Sequence, residues 1–325
     1  MKSNDLNCQL PIANFGAWSW FEILISNFKP QTSNLRKAFL QLHAAVLLAG
    51  FTGILGRLIT LNEGLLVWYR LLFSAVTLWL LFFLTKKIRK ISLKDCFQIF
   101  GVGLLAALHW VTFYGSIKYS NVSVALVCFS SIGFFTAIFE PLILRIKMDV
   151  RELFLGLMVM GGIYIIFHFD PQYKIGIIVG IISAFLGCLF PIMNRIFLRK
   201  HSTETVTLYE LTGGFLSLSI MLPFYLQLFP ADHNIPTTND FLWLLVLSWF
   251  CTVLAFQLFM NALKKISAFT ANLTYNLEPV YGILLAFAVY QENKDLGSSF
   301  YAGLAIIILA VVLQTVNVYV KHKAK

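Results

Sequence analysis

Residues 264–303 read KKISAFTANLTYNLEPVYGILLAFAVYQENKDLGSSFYAG. An apolar helix of about 20 residues, enough to cross a bilayer, carries Glu278 and Pro279 side by side, far from either end. A charge at mid-membrane costs roughly 2.5 to 3.5 kcal/mol on insertion scales. A proline inside a helix removes a backbone hydrogen bond that something nearby must replace. This stretch is therefore expected to face protein or water and not lipid.

An earlier stretch matches it. Residues 118–156 read KYSNVSVALVCFSSIGFFTAIFEPLILRIKMDVRELFLG, and setting Lys118 on Lys264 also brings Phe113 onto Phe259 and Ala125 onto Ala271. One inserted residue later, Gly156 falls on Gly303. Tyr69 and Arg70 open one apolar segment as Tyr209 and Glu210 open another, and Arg57 ends a segment as Arg195 does. The chain reads as two copies of one unit, residues 36–170 and 171–325, behind an amino-terminal extension of residues 1–35.

With 58% hydrophobic and only 12% charged residues in 325, the composition excludes a soluble domain. Ten apolar segments are legible, at 38–60, 65–85, 96–117, 121–144, 152–169, 174–197, 205–229, 241–263, 267–290 and 299–320. They lack the alternation of barrel strands. The expected fold is an all-α integral membrane protein of ten transmembrane helices.

The net charge of +10 is spread by loop, which argues against nucleic acid as a partner. Twenty of the 25 Lys and Arg fall before segment 1, after segments 2, 4, 6 and 8, or at the carboxyl end. The positive-inside rule puts both termini in the cytoplasm of a cell (inner or plasma) membrane. Each copy holds an odd number of helices, so the second must be inserted upside down, which makes the fold two inverted-topology five-helix repeats.

The extension 1–35 is too short and polar for a span, and Trp18, Trp20 and Phe21 suit an interfacial helix or a disordered tail. Cys8, Cys96, Cys128, Cys188 and Cys251 have no paired spacing and read as packing residues. Small residues in segments 1 and 6, Gly50, Gly53, Gly56, Gly176, Gly180 and Gly187, read as sites of close helix approach. Arg57 and Arg195 read as interfacial anchors, and Glu292 as part of a solvated loop.

Polar residues inside the segments are the candidates for function. Arg70 lies about two turns into segment 2, placed either to snorkel or to line a cavity. Glu210 is its repeat counterpart, of opposite sign and at opposite depth, and the two form a candidate pair of gate charges. Segment 3 offers His109 and Tyr114; segment 8 offers Gln257 and Asn261 on one face; segment 9 offers Asn272, Tyr275, Asn276 and Glu278. Glu140 is expected to pair with Arg145 or Lys147. No HExxH, GxSxG, Walker A or GxGxxG motif occurs and no metal-ligand spacing is present, so neither an enzyme nor a cofactor or metal site is expected.

AGFTGILGRLITL and VWYRLLFSAV in segments 1 and 2, LHWVTFYGSIKYSNVSVAL, and NLEPVYGILLAFAVYQE together resemble the drug/metabolite transporter (DMT) superfamily, EamA-like permease branch, over residues 36–320. The extension 1–35 departs from that pattern, as does Gly133 where the second copy has Pro279. The resemblance implies a secondary transporter with a central cavity lined by segments 1–4 and 6–9, with 5 and 10 outside. Inverted repeats with a broken helix and polar midplane residues independently place a site at the repeat interface.

The expected substrate pocket comprises Arg70, His109, Tyr114, Gln257, Asn261, Asn272, Tyr275, Asn276 and Glu278, with Glu278, Arg70, Glu210 and Glu140 as coupling or gating groups. Its ligand is expected to be a small organic metabolite such as an amino acid, exported with proton coupling at Glu278, by a monomer or homodimer in the lipid bilayer. A flippase for lipids or lipid-linked sugars, a passive facilitator, and a non-transporting membrane scaffold or sensor are the other readings.

Overall fold

The computed structural model describes residues 17–263, 265, 274–275 and 277–323, the side chains of 17–36, 169 and 314–323 excepted. All regular structure among the described residues is helical. In the first repeat α1 is Ala17–Leu58, α2 Glu63–Leu84, α3 Leu93–Tyr119, α4 Val122–Phe129, α5 Ile132–Leu144 and α6 Val150–Phe169. In the second, α7 is Lys174–Phe197, α8 Thr203–Leu228, α9 Thr238–Ser248, α10 Ala255–Leu263, α11 Glu278–Tyr290 and α12 Ser298–Lys323. A π-helical stretch, Trp249–Leu254, joins α9 to α10. Eight stretches are long and apolar enough to cross a membrane, and α11 and Ser298–Leu313 of α12 are shorter apolar helices.

Segments legible as single runs are broken where local chemistry intervenes. Segment 4 divides into α4 and α5 at Ser130 and Ser131, whose hydroxyls donate to the carbonyls of Leu126 (3.3 Å) and Cys128 (2.7 Å). Such back-bonding competes with the helical ladder. In segment 8 the ladder widens, and Thr252 Oγ1 donates to the Leu247 carbonyl at 3.0 Å. In segment 9 the described helix starts at Glu278, so Pro279 lies in its first turn. A proline there sacrifices no helical hydrogen bond, which corrects the expectation of a proline far from any helix end.

Helix starts are capped by side chains chosen for it. Asn62, Ser92, Asn121 and Ser202 accept from Gly64, Asp95, Val124 and Thr205 amides, and Thr237 forms a capping box with Asp240.

The packing is that of two interlocked copies. α7 and α8 both lie on α3. The counterparts of those contacts under exchange of the repeats are also present, α10 on α1 and α9 on α2, as are the contacts between matching segments, α2 with α8, α4 with α11 and α6 with α12. The outer surface is apolar, with Leu40, Phe83, Ile220 and Leu228 exposed, as lipid contact requires.

Glycines set the closest approaches. A Cβ on Gly103 of α3 would lie 2.0 Å from the Glu210 carbonyl of α8, and one on Gly162 of α6 would lie 2.7 Å from the Gly303 carbonyl of α12. A Cβ on Gly101 meets nothing within 4 Å. Gly103→Ala therefore forces α3 and α8 apart and is expected to destabilise by about 2 kcal/mol. Gly101→Ala, in an exposed part of the same helix, is expected to be neutral or to stabilise by about 0.5 kcal/mol. Thermal unfolding of the two purified variants in detergent separates them.

Candidate functional site

A cavity of about 120 Å³ lies between the repeats, lined from α1 (Ala49, Thr52), α2 (Arg70), α3 (His109, Trp110, Phe113), α7 (Gly187, Cys188, Phe190, Pro191), the π stretch and α10 (Cys251, Ala255, Phe256, Phe259), and Tyr275 with Glu278 of segment 9. Segment 4 contributes Phe129 and the face from Ile132 to Glu140, and segment 5 contributes Glu152. Segment 7, expected in the wall, supplies no lining residue, and segment 5, expected to stand outside, supplies one. The walls are mostly aromatic and apolar, with Arg70 and Glu278 as charges deep in the bundle.

Arg70 is 2% exposed and does not snorkel. Its Nε donates to Thr252 Oγ1 at 2.7 Å, Nη1 to the Tyr114 hydroxyl at 2.9 Å, and Nη2 to the Cys251 carbonyl at 3.4 Å. Its guanidinium lies 4.0 Å from the Trp110 ring centre, a cation–π contact. The ion pairs formed among the described residues do not include it. The cavity wall therefore carries a fixed positive charge whose partners are hydroxyls, a carbonyl and a π face.

Tyr114 is fully buried behind Arg70 and supports it instead of lining the cavity. Gly56 makes room for its ring, since a Cβ there would come within 2.4 Å. His109 Nδ1 sits 2.9 Å from the Ser183 carbonyl and donates to it, which leaves Nε2 as the free edge of the ring. Phe113, Phe129 and Phe190 surround the ring at 6.2, 5.4 and 5.7 Å between centroids. Tyr275 stands edge-on to Phe259 at 4.8 Å, and Glu278 is 6% exposed at the start of α11.

Four of the residues read as pocket groups from sequence, Arg70, His109, Tyr275 and Glu278, thus line one cavity. Gln257 and Asn261 do not. At about 100° per residue they lie on the side of α10 opposite Phe256 and Phe259, and Asn261 Oδ1 instead accepts from Thr203 of α8 at 3.3 Å. Asn272 and Asn276 lie outside the described residues. Glu210 is fully buried, away from the cavity lining, and takes a hydrogen bond from Asn194 Nδ2 at 3.1 Å. It takes part in none of the ion pairs among the described residues, and its carboxyl and the Arg70 guanidinium are held by different partners.

Two ion pairs mark the ends of the bundle. Glu140 pairs with Arg195 of α7 and not with Arg145 or Lys147, because it looks across to segment 6 while Arg145 turns away in a left-handed C-cap. At the other end Arg57 reaches Glu292 at 2.5 Å. Glu292 is 1% exposed, which overturns its reading as a solvated loop residue. Its carboxylate accepts from the Val122 amide (3.1 Å), the Ser123 amide (2.8 Å) and the Ser123 hydroxyl (2.6 Å), so a residue from the loop after α11 caps α4 of the other repeat. No local sequence signal points to this role, because Glu292 sits 170 residues from the helix it caps. Tyr290 closes the same end by donating to the Ile54 carbonyl at 2.8 Å, and Lys118 by donating to the Leu61 carbonyl. Cys188 and Cys251 line the cavity, and Cys128 is buried.

Residues 36–168 and 174–316 each match the EamA-like transporter family. The chain belongs to that family. The family is one of transporters and not enzymes, and the chain is accordingly a multi-pass membrane transporter. It is 26% identical over 293 residues to the uncharacterized transporter YetK of Bacillus subtilis (strain 168), covering 83% of this chain and 84% of that protein. It is 21% identical over 274 residues to an uncharacterized transporter of Haemophilus influenzae (strain ATCC 51907 / DSM 11121 / KW20 / Rd), covering 79% and 87%. A solved crystal structure described only as that of a protein superposes with a TM-score of 0.62 at 16% identity, over 86% of this chain and 97% of the other, and so shares the fold.

The two partners of the Arg57–Glu292 pair are expected to differ in weight. Glu292→Ala strands two backbone amides and a hydroxyl in a buried place and is expected to destabilise by about 2 kcal/mol. Arg57 is 43% exposed at its side chain, and Arg57→Ala is expected to cost under about 1 kcal/mol. Unfolding of the two variants side by side checks the order; equal losses would mean that the ion pair, not the cap, holds Glu292.

Proposed function

We propose that this transporter moves a small amphipathic zwitterion, of which an α-amino acid is the type, and exports it by alternating access around the central cavity. The observation that carries the proposal is the buried Arg70 guanidinium, which has no ion-pair partner among the described residues and lies in the same aromatic-walled cavity as Glu278. A substrate carboxylate meets Arg70 in a charge-assisted hydrogen bond. A substrate ammonium meets Glu278, and the apolar side chain rests on Phe113, Phe256 and Phe259. The His109 ring lines the same cavity and offers a further polar edge.

Alternating access follows from the two unlike ends. One end is closed by Arg57, Glu292, Tyr290 and Lys118. The lining residues Glu140 and Glu152 lie toward the other end, where α5 finishes and α6 begins. The charge distribution of the loops supports assigning that second end to the cytoplasm of the plasma or inner membrane, which makes this an inward-facing state, ready to load for export. Glu278 is the proton-coupling group in this reading, free to exchange a proton for the substrate ammonium.

Release of preloaded, isotope-labelled amino acids from cells expressing the protein tests the proposal. Arg70→Ala is expected to reduce release at least tenfold, and Arg70→Lys nearly as much, because a lysine cannot reproduce the forked donors and the stack on Trp110. Glu278→Gln is expected to leave any residual release insensitive to the proton gradient. Wild-type release no faster than from cells lacking the protein, across the labelled amino acids, would remove this substrate class.

A further inference from the structure

Four buried side-chain polar atoms among the described residues have no hydrogen-bond partner: Asn194 Oδ1, Thr207 Oγ1, Glu210 Oε2 and Gln257 Nε2. They are drawn from three segments, yet they belong to one place. Asn194 and Glu210 are already joined by the Nδ2 to Oε1 hydrogen bond of 3.1 Å. Thr207 precedes Glu210 by three residues and so shares its face of α8. The hydrogen bond from Thr203 to Asn261 fixes the register of α8 against α10. The two run antiparallel, and Thr207 and Gln257 each lie one turn further along from that bond in the same direction. Unpaired buried polar atoms are rare, and each asks for an explanation; here they gather between α7, α8 and α10, apart from the cavity lining.

We infer that this cluster is a proton-binding site, in which Glu210 is a neutral carboxylic acid paired head to tail with the Asn194 carboxamide. The existing bond uses the amide nitrogen and one carboxyl oxygen, and the amide oxygen and the other carboxyl oxygen are both buried acceptors without a donor. One proton on Oε2 supplies the missing donor of a head-to-tail pair, Oε2–H to Oδ1, and satisfies both atoms at once. Turning the amide over does not remove the need for it, because one carboxyl oxygen would still face the amide oxygen.

Among the described residues no cation pairs with Glu210. On α7, Arg195 is held by Glu140; on α8, Glu204 is held by Lys87; on α3, Asp95 is held by His201, and His109 is bound to Ser183. On α2, Arg70 is directed at Thr252, Tyr114 and Cys251. α10 has no charged residue. A fully buried carboxylate without a cation is far costlier than a neutral acid. The glycine contact of Gly103 with the Glu210 carbonyl seals the backbone side. The proton can leave only if α7 and α8 separate or water enters between them, so its occupancy is tied to how the second repeat packs on α3.

Infrared absorption of the purified full chain in lipid, at neutral pH and in both light and heavy water, reads the site directly. The wild type minus Glu210→Gln difference spectrum is expected to show one protonated-carboxyl C=O band, and Asn194→Ala is expected to move that band to higher frequency. Glu210→Gln keeps both amide hydrogen bonds and is expected to fold with a thermal midpoint within about 2 °C of wild type. A difference spectrum with carboxylate stretches in place of the acid band, or a clear rise in the midpoint of Glu210→Gln, would show that Glu210 is ionised and overturn the inference. So would stabilisation of wild type, but not of Glu210→Gln, by sodium over choline at equal ionic strength, which would assign the oxygens to a metal cation.

Discussion

The bundle is organised by the requirement that a guanidinium remain charged inside a membrane. Arginine does not shed its proton at accessible pH, so the cost of burying Arg70 falls on its neighbours. Tyr114 gives a hydroxyl and can stand there only because position 56 is glycine. Thr252 and the Cys251 carbonyl come from the π-helical stretch between α9 and α10, where the widened turn places both toward α2. π turns recur at functional sites because they re-aim a short piece of helix without ending it. Ser74 and Ser248 add hydroxyls that donate to the Arg70 carbonyl at 2.7 and 3.2 Å, fixing the backbone from which the side chain extends. Four elements are therefore adjusted around one side chain, and each adjustment is a local irregularity that a helix packed for stability alone would lack.

The two terminal ion pairs show what the repeat does with arginine elsewhere. Arg57 and Arg195 end corresponding segments, and each meets an acid of the opposite segment pair, Glu292 after α11 and Glu140 in α5. In an inverted repeat such counterparts lie at opposite ends of the bundle. They differ in how the acid is held. Glu292 is bound by two amides and a hydroxyl at a helix start as well as by Arg57, whereas Glu140 lies on the edge of the cavity. The same pair of charges is built into a firm closure at one end and left at the rim at the other, and the asymmetry comes from the helix dipole and amides at the α4 start.

What could be read from sequence follows from which features are local. Ten apolar runs, their repeat and their family are written in residue type and spacing. Arg70, His109, Tyr275 and Glu278 were legible as pocket groups because a polar residue in an apolar helix must turn away from lipid. Which interior it turns toward was not. Gln257 and Asn261 obey the same rule and point at α8, since choosing between two protein faces depends on helix rotation set by packing. The role of Glu292 depends on a contact across 170 residues and left no local mark. The break in segment 4 was signalled by Ser130 and Ser131, but a serine pair in an apolar helix is compatible with a continuous one, and only the tertiary setting decides.

The carboxyl groups of this protein illustrate how position, not residue type, divides chemical labour in a membrane. Glu292 is met by two backbone amides, a hydroxyl and a guanidinium. Glu278 begins a helix, where the free amides of the first turn favour negative charge, and it opens onto the central cavity. Glu210 has an amide for company and neither a helix start nor an opening. In the cycle proposed above, a group that takes up and releases a proton cannot be ringed by donors as Glu292 is. It must sit where its surroundings change with the packing of the repeats. Glu278, at the junction of α11 with α1 and α4, and Glu210, at the junction of α8 with α3 and α7, both meet that condition.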